Sequence, residues 1–170
     1  MQNLSPSQLN EWLSSRGFAT PAEIRRANPR FPSEAKYLVP QDSGRKTALS
    51  REIVRLVSGD DVLLWFSEYG VWPSSQNMPL FEGYRRAIGE IRSLAECPAH
   101  TFASQELSVL ECLLDIVLYF YWDAVVFDPA KGVIFIPSHD ELLFVRTQDD
   151  NLMREINSTL TAFGLKVAKS

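Results

Sequence analysis

The sequence predicts an α+β fold, with an antiparallel sheet of about four strands packed by helices and an N-terminal helical pair. Three apolar runs, residues 125–127, 133–136 and 142–145, are separated by two polar turns, which is the pattern of antiparallel hairpins. Elsewhere, apolar residues recur at helical spacing between capping signals. A chain of 170 residues with 45% hydrophobic content has the size of one domain with its own core. We therefore predict a single domain over residues 1–170, with residues 1–46 as a helical N-terminal appendage.

The N-terminal helical pair is predicted by local signals that agree with one another. Ser5 is a suitable N-cap, Pro6 fits the first helical position, and Gln8 completes a capping box. Thr20 and Pro21 repeat the cap and the first turn for a second, shorter helix. The sequence thus predicts two consecutive helices ahead of the first possible strand.

The rest of the chain alternates between helical and strand patterns. The predicted elements are a possible strand at 37–39, a helix at 48–57, a buried strand at 62–69, a helix at about 77–88, a central helix at 104–120, the three strands above and a last helix at about 149–163. The three late strands are apolar almost without interruption, so we expect both faces of the sheet to be covered.

The charge of the chain argues against some classes of partner. The formal net charge is −4. Residues 1–46 carry a net charge of +3 and the remainder carries −7, so a mildly basic head precedes an acidic body. Such a chain is a poor general binder of nucleic acid, but it complements a partner protein with a basic surface.

Several features of the sequence bear on the compartment. Two cysteines are too few for a disulfide framework, and Cys112 falls in an apolar helical pattern where we expect it to be buried. The first residues lack the basic and apolar regions of a signal peptide. The longest apolar stretch, residues 112–122, is interrupted by Asp115, which argues against a membrane span. We therefore expect a cytoplasmic protein without a membrane partner.

The polar turn between the last two predicted strands is the first candidate site. It consists of Ser138, His139, Asp140 and Glu141. A histidine beside two carboxylates suits acid–base chemistry or metal binding. A solvated hairpin turn is the simpler interpretation, because serine and aspartate favour turns for backbone reasons alone. A metal site would also need ligands from elsewhere in the fold, since the sequence contains no HExxH or CxxC motif.

The segment that follows the predicted strand at 62–69 is the second candidate site. Glu68, Tyr69 and Trp72 place a charge and two aromatic rings beside a loop. Aromatic side chains on loops supply rigid contact area at protein interfaces. The alternative is that Trp72 folds back over the core.

Three further groups could take part in chemistry if the fold brings them to His139. Glu111 and Asp115 form an i, i+4 carboxylate pair on the central helix, and His100 lies just ahead of that helix. A small hydrolase or metal-dependent enzyme would use His139, Asp140 and either Glu111 or His100. That hypothesis requires these groups to converge on one pocket.

The N-terminal pair could also be interpreted as a DNA-binding helix-turn-helix. Its turn has a suitable length, and Arg16, Arg25 and Arg26 lie near it. A few arginines on an acidic protein nevertheless make a weak phosphate-binding surface. We favour a packing role for this pair over a DNA-associated regulator.

Residues spread over positions 60–146 carry a resemblance to a known class of protein. They are Trp65, GVWP at 70–73, PAHTF at 98–102, Glu106, Trp122, Asp123 and SHDE at 138–141. The pattern resembles small uncharacterised bacterial proteins of the immunity type, which neutralise toxins made by the same or a neighbouring cell. This resemblance implies a stoichiometric binder with no catalysis, and it assigns a role to no individual residue.

The sequence therefore favours a non-enzymatic bacterial protein that acts through contact with another protein and needs no cofactor. The expected partner has a basic surface, and a homodimer is a further alternative. The expected contact surface combines the two candidate segments, namely Glu68, Tyr69, Trp72, Ser138, His139, Asp140 and Glu141.

Overall fold

The computed structural model describes residues 1–57, 59–69 and 78–168. Its strands are β1 (Gln2–Leu4), β2 (Ser33–Leu38), β3 (Val62–Glu68), β4 (Ala99–Phe102), β5 (Asp123–Asp128), β6 (Val133–Pro137) and β7 (Leu142–Thr147). Its helices are α1 (Pro6–Ser14), α2 (Pro21–Arg25), α3 (Ser43–Leu56), α4 (Met78–Ala87), α5 (Leu107–Phe120) and α6 (Asp150–Ala162).

The strands form one antiparallel sheet in the order β1-β4-β3-β5-β6-β7-β2. The α+β class is confirmed, but the prediction of about four strands is wrong, because the sheet has seven. β1 and β4 are only three and four residues long, too short for an alternating pattern to be visible in the sequence. Only part of β2 was predicted, because its residues include exposed and charged side chains typical of an edge strand.

Both faces of the sheet are buried, as the apolar strands predicted. Side chains of β5 alternate between the two sides: Ala124 and Val126 join the core beneath α3, α5 and α6, while Val125 and Phe127 join a second core beneath the N-terminal helices. All six residues of β5 are buried. The sheet is therefore the middle layer of three, and a side chain of a central strand reaches solvent mainly at the end of that strand.

The predicted N-terminal helical pair is present. Ser5 and Gln8 form the predicted capping box at the start of α1. Gly17 ends the first helical segment with φ at +80°, a conformation that glycine adopts at low cost. Apolar side chains of the pair, with Leu9 and Ile24 as examples, are buried against the sheet. Residues 1–46 also supply β1 and β2, which form the two edges of the seven-stranded sheet.

Two helices differ from their predicted bounds. α3 begins at Ser43, five residues before the predicted start, because the Asp42 side chain caps it by accepting a hydrogen bond from the Arg45 backbone N–H. The first turn of the predicted central helix is a 3-10 turn at Ser104–Glu106, ahead of α5. The expected burial of Cys112 is also wrong, since its position on α5 faces solvent.

The C-terminal segment covers the outer edge of β2. The Leu38 backbone N–H donates to the Lys166 carbonyl, and the Ala168 N–H donates to the Lys36 carbonyl, at 2.9 Å each. These bonds occupy backbone groups that an edge strand would otherwise expose. Over the part of the chain that the structure describes, no helix is long and apolar enough to cross a membrane.

Candidate functional site

The candidate site lies at the end of the sheet where β3, β5 and the β6–β7 turn meet. Glu68 is the last residue of β3 and is paired with Asp123, the first residue of β5, across a β-bulge. His139 lies in the turn after β6. One ligand atom from each of Glu68, Asp123 and His139 lies within 4.8 Å of the other two. The two predicted contact segments thus meet around Asp123, which belongs to neither segment.

Asp123 is the centre of this site. It is 3% exposed. Its Oδ1 accepts hydrogen bonds from the backbone N–H and from Nδ1 of His139, both at 2.7 Å. Its Oδ2 accepts a bond from Arg25 Nη2 at 2.6 Å, and the same nitrogen lies 3.9 Å from Glu68 Oε2. A buried carboxylate needs such partners, so Asp123 fixes the positions of the α2 arginine and of the turn histidine.

The environment of His139 favours the protonated imidazole. Burial lowers its pKa, but the hydrogen bond to Asp123 and the charges of Asp123, Asp140 and Glu68 outweigh burial, so the pKa of His139 is raised. Nδ1 carries the proton in the bond to the carboxylate, which orients the ring. Nε2 lies 3.7 Å from Asp140 Oδ1. The imidazole therefore sits between one buried and one exposed carboxylate.

The β6–β7 turn holds Glu141 in an unusual conformation. Its φ is +62°, a region that side chains other than glycine and asparagine seldom adopt. The Glu141 carbonyl accepts a hydrogen bond from the Val39 N–H, and its carboxylate accepts one from Gln41 Nε2, at 2.8 Å each. These bonds fix the position of the exposed carboxylate, and they offset the cost of the strained backbone conformation.

The other predicted contact residues are placed as follows. In the turn, Ser138 is half-buried and Asp140 is exposed. The side chain of Glu68 is 51% exposed, and the half-buried Tyr69 lies with its ring centroid 6.0 Å from that of Trp122. Trp72 lies outside the described residues.

The structure does not bring the remaining candidates to His139. His100 is fully buried on β4, where Nδ1 is bonded to Asn3 Oδ1 at 2.7 Å. Burial first, and then the charge of Arg85, lowers the pKa of His100 to about 3. Glu111 pairs instead with Arg51 of α3.

Asp115 is likewise engaged with α3, because its Oδ1 accepts the Ser50 hydroxyl at 2.9 Å. Within the ranges that the structure describes, the only cluster of three possible metal ligands is Glu68, Asp123 and His139. His100, Glu111 and Asp115 therefore do not lie at His139, and the convergence that the enzyme hypothesis requires is absent for these three residues.

Sequence reasoning assigned neither Asp123 nor Arg25 to this site. A signal for Asp123 existed, because an acidic residue that opens an otherwise apolar strand needs a buried partner. No comparable signal marks Arg25, which the fold brings from α2 across 98 positions of sequence. Only the packing of the N-terminal helices on the sheet reveals this pair.

The chemistry of the site allows two uses. Carboxylate oxygens and an imidazole are suitable ligands for Zn²⁺. A metal ion would have to displace the Arg25 guanidinium, which now neutralises the two carboxylates. Without such an ion, the site is an internally paired network whose outer rim carries exposed carboxylates, a surface suited to binding a cationic partner.

Comparisons of this chain with models of protein families, with curated proteins and with solved structures gave no match. Its function therefore has to follow from its own residues.

Proposed function

We propose that the protein acts by binding another protein, without catalysis, through the end of the sheet formed by Glu68, Tyr69, His139, Asp140 and Glu141. This surface is called the acidic end below. The observation that carries the proposal is the meeting of β3 and the β6–β7 turn at Asp123, which joins two separate segments into one surface.

The charge of the acidic end supports a basic partner. The side chains of Glu68 and Asp140 are 51% and 70% exposed, and Glu141 is an exposed residue that follows Asp140 on the β6–β7 turn. The buried charge of Asp123 is already neutralised by Arg25 and His139. The rim therefore presents carboxylates that steer and orient a cationic surface.

The rigidity of the acidic end also supports binding. Two hydrogen bonds to Asp123 hold His139, and bonds from Val39 and Gln41 hold Glu141. A contact surface that is ordered before binding loses less conformational entropy when the complex forms. The resemblance to immunity-type proteins favours a toxin with a basic surface as the partner.

A matched pair of charge-reversal variants tests the proposal. We expect Asp140→Lys with Glu141→Lys to weaken the complex by at least about tenfold, because favourable charge pairs become repulsive. Glu11→Lys with Glu155→Lys changes the net charge equally on exposed positions of α1 and α6 and should leave binding unchanged. The measurement is a pull-down from source cells, followed by calorimetry with the purified partner at two salt concentrations. Equal loss of binding in both variants, or a wild-type protein that retains no partner, contradicts the proposal.

A second candidate function, a metal-dependent hydrolase, is supported by the three-ligand cluster alone. If Zn²⁺ binds there, Arg25→Gln should strengthen metal binding, because the competing cation is removed, and His139→Ala should weaken it. Titration with Zn²⁺, followed by calorimetry, measures both effects. Metal binding that is insensitive to His139→Ala contradicts this second candidate.

A further inference from the structure

A groove lies between the start of α3 and the end of α5. The groove has a volume of about 820 Å³. Its polar side chains include Ser43, Lys46 and Thr47 of α3. The volume falls within the range of about 300–1,000 Å³ that is typical of small-molecule sites.

Lys46 is the residue that points to a ligand. It is 5% exposed, although it carries an ammonium group and lines the groove. Nζ lies 3.6 Å from the ring centroid of Tyr121 and 5.9 Å from that of Tyr119. Among residues 1–57, 59–69 and 78–168, no carboxylate lies within 4.0 Å of Nζ, and Nζ makes no hydrogen bond. Two aromatic rings stabilise the cation only in part, so an anion that enters the groove is a suitable further partner for the Lys46 ammonium.

Two acceptors that line this groove, Asp115 and Gln41, each accept one hydrogen bond from a neighbouring side chain. Asp115 Oδ1 accepts the Ser50 hydroxyl, and Gln41 Oε1 accepts the Tyr121 hydroxyl, both at 2.9 Å. The N-terminus of the 14-residue helix α3 adds a partial positive charge beside Lys46. The polar part of the groove is therefore suited to an anionic group.

Tyr121 is held at the groove at the expense of backbone strain. It ends α5 in the left-handed conformation, with φ at +52°. Its ring contacts Lys46, and its hydroxyl is bonded to Gln41. Strain of this kind is concentrated at ligand sites, because surrounding contacts must enforce it.

The other walls of the groove are apolar. Leu80 and Tyr119 are 62% and 56% exposed and offer apolar surface to a ligand. Ile116 and Phe120 also line the groove and are half-buried. A flat apolar body would cover these side chains while its charged group lay at Lys46.

We propose that this groove binds a small aromatic carboxylic acid, with its carboxylate at the Lys46 ammonium and its ring against Leu80, Tyr119 and Phe120. This site is separate from the contact surface proposed above, and neither proposal depends on the other. The size of the groove favours a small molecule, and the Lys46 ammonium, which is paired with no carboxylate among the described residues, favours an acid over a neutral or cationic ligand.

The test compares 2-naphthoate with the neutral 2-naphthalenemethanol, by calorimetry and by NMR of the tyrosine rings. We expect naphthoate to bind with a dissociation constant below about 1 mM, and the alcohol to bind at least about tenfold more weakly. Lys46→Met should weaken naphthoate binding by at least about tenfold, while Lys46→Arg should retain it.

Lys36→Met is the matched control, because Lys36 also lies over an aromatic ring, 5.4 Å from the Phe144 centroid, but is exposed and paired with Glu34. It should leave naphthoate binding unchanged. No binding at millimolar naphthoate, equal binding of the alcohol, or unchanged binding by a folded Lys46→Met variant overturns the proposal.

Discussion

His100 shows how a single buried side chain ties stability to pH. Its Nδ1 is bonded to Asn3, and its Nε2 is buried with no hydrogen-bond partner in the described part of the chain. Protonation would place an N–H at Nε2 without an acceptor, in the field of the Arg85 cation. The fold therefore keeps this imidazole neutral at pH values where an unfolded chain would protonate it.

The first prediction concerns acid unfolding. The pKa of His100 falls from 6.5 to about 3 on folding, so the unfolded chain binds the extra proton between these values. The contribution of His100 to stability is fully present above the unfolded pKa. Below that pKa, this group lowers the free energy of unfolding by about 1.4 kcal/mol for each unit by which the pH decreases. His100→Gln, which cannot titrate, should lose less stability between neutral pH and about pH 4.5. Urea unfolding across this range measures the difference, and parallel curves for the two proteins would refute the role of His100.

The second prediction concerns Glu141. Glycine tolerates its φ of +62° without strain, so Glu141→Gly should raise the free energy of unfolding by up to about 1 kcal/mol. Loss of the exposed bond to Gln41 offsets only part of this gain. The same variant should weaken partner binding, since it removes a carboxylate from the acidic end. Asp140→Gly, at a residue with ordinary φ, is the control and should lower stability. Thermal unfolding of both variants is the measurement. A loss of stability in Glu141→Gly would contradict the inference that the backbone at Glu141 is strained.

At the scale of elements, the packing of the N-terminal helices on the sheet centres on Phe127 of β5. Its ring makes edge contacts with Trp12, Phe18 and Phe31, at centroid distances of 5.9, 5.6 and 6.0 Å. Such contacts add to the burial of a large apolar surface. The sheet and the N-terminal helices therefore share one core on this face.

The third prediction follows from that shared core. Phe127→Ala should lower the free energy of unfolding by about 3–5 kcal/mol in one cooperative transition, because it leaves a cavity between the layers. Ile91→Ala, at a side chain that is 82% exposed, should change it by less than about 0.5 kcal/mol. Urea unfolding followed by fluorescence and by circular dichroism distinguishes the outcomes. Two separate transitions in the Phe127 variant would show that the layers unfold independently.

Elements with strong local signals could be predicted, and elements defined by distant partners could not. The capping box at Ser5 and the hairpins of β5, β6 and β7 arise from residues close in sequence, and the structure confirms them. β1 exists only because Gln2–Leu4 pairs with β4, about a hundred residues away, and β4 in turn also pairs with β3. A segment of three or four residues has no periodicity of its own to show this pairing.

The residues of the candidate site could likewise be predicted only where a local signal marked them. His139, Asp140 and Glu68 stood out in the sequence because a histidine and carboxylates sat at predicted turns and strand ends. Arg25 could not be placed with them, because its contact with Asp123 depends on how α2 packs over the sheet. Lys46 could not be singled out either, since nothing in its local sequence predicts a lysine that is only 5% exposed.

At the scale of the whole molecule, the fourth prediction concerns the covered edge of the sheet. Truncation after Gly164 removes the strand-like segment that bonds to Lys36 and Leu38 of β2. The exposed edge should then promote self-association by strand pairing, and the loss of the buried Leu165 should lower stability. Light scattering after size exclusion measures the first effect. A chain lacking only residues 169–170 is the control, and equal mass for the truncated and control proteins would contradict the expected role of this segment.

The placement of both sheet edges in the first 38 residues has a consequence for synthesis on the ribosome. β2 leaves the exit tunnel early, but its partner β7 is translated more than a hundred codons later. Until then β2 has no strand to pair with, although β1 can already pair with β4. Completion of the sheet is thus expected to wait for β7, and this long-range pairing is expected to make folding slow.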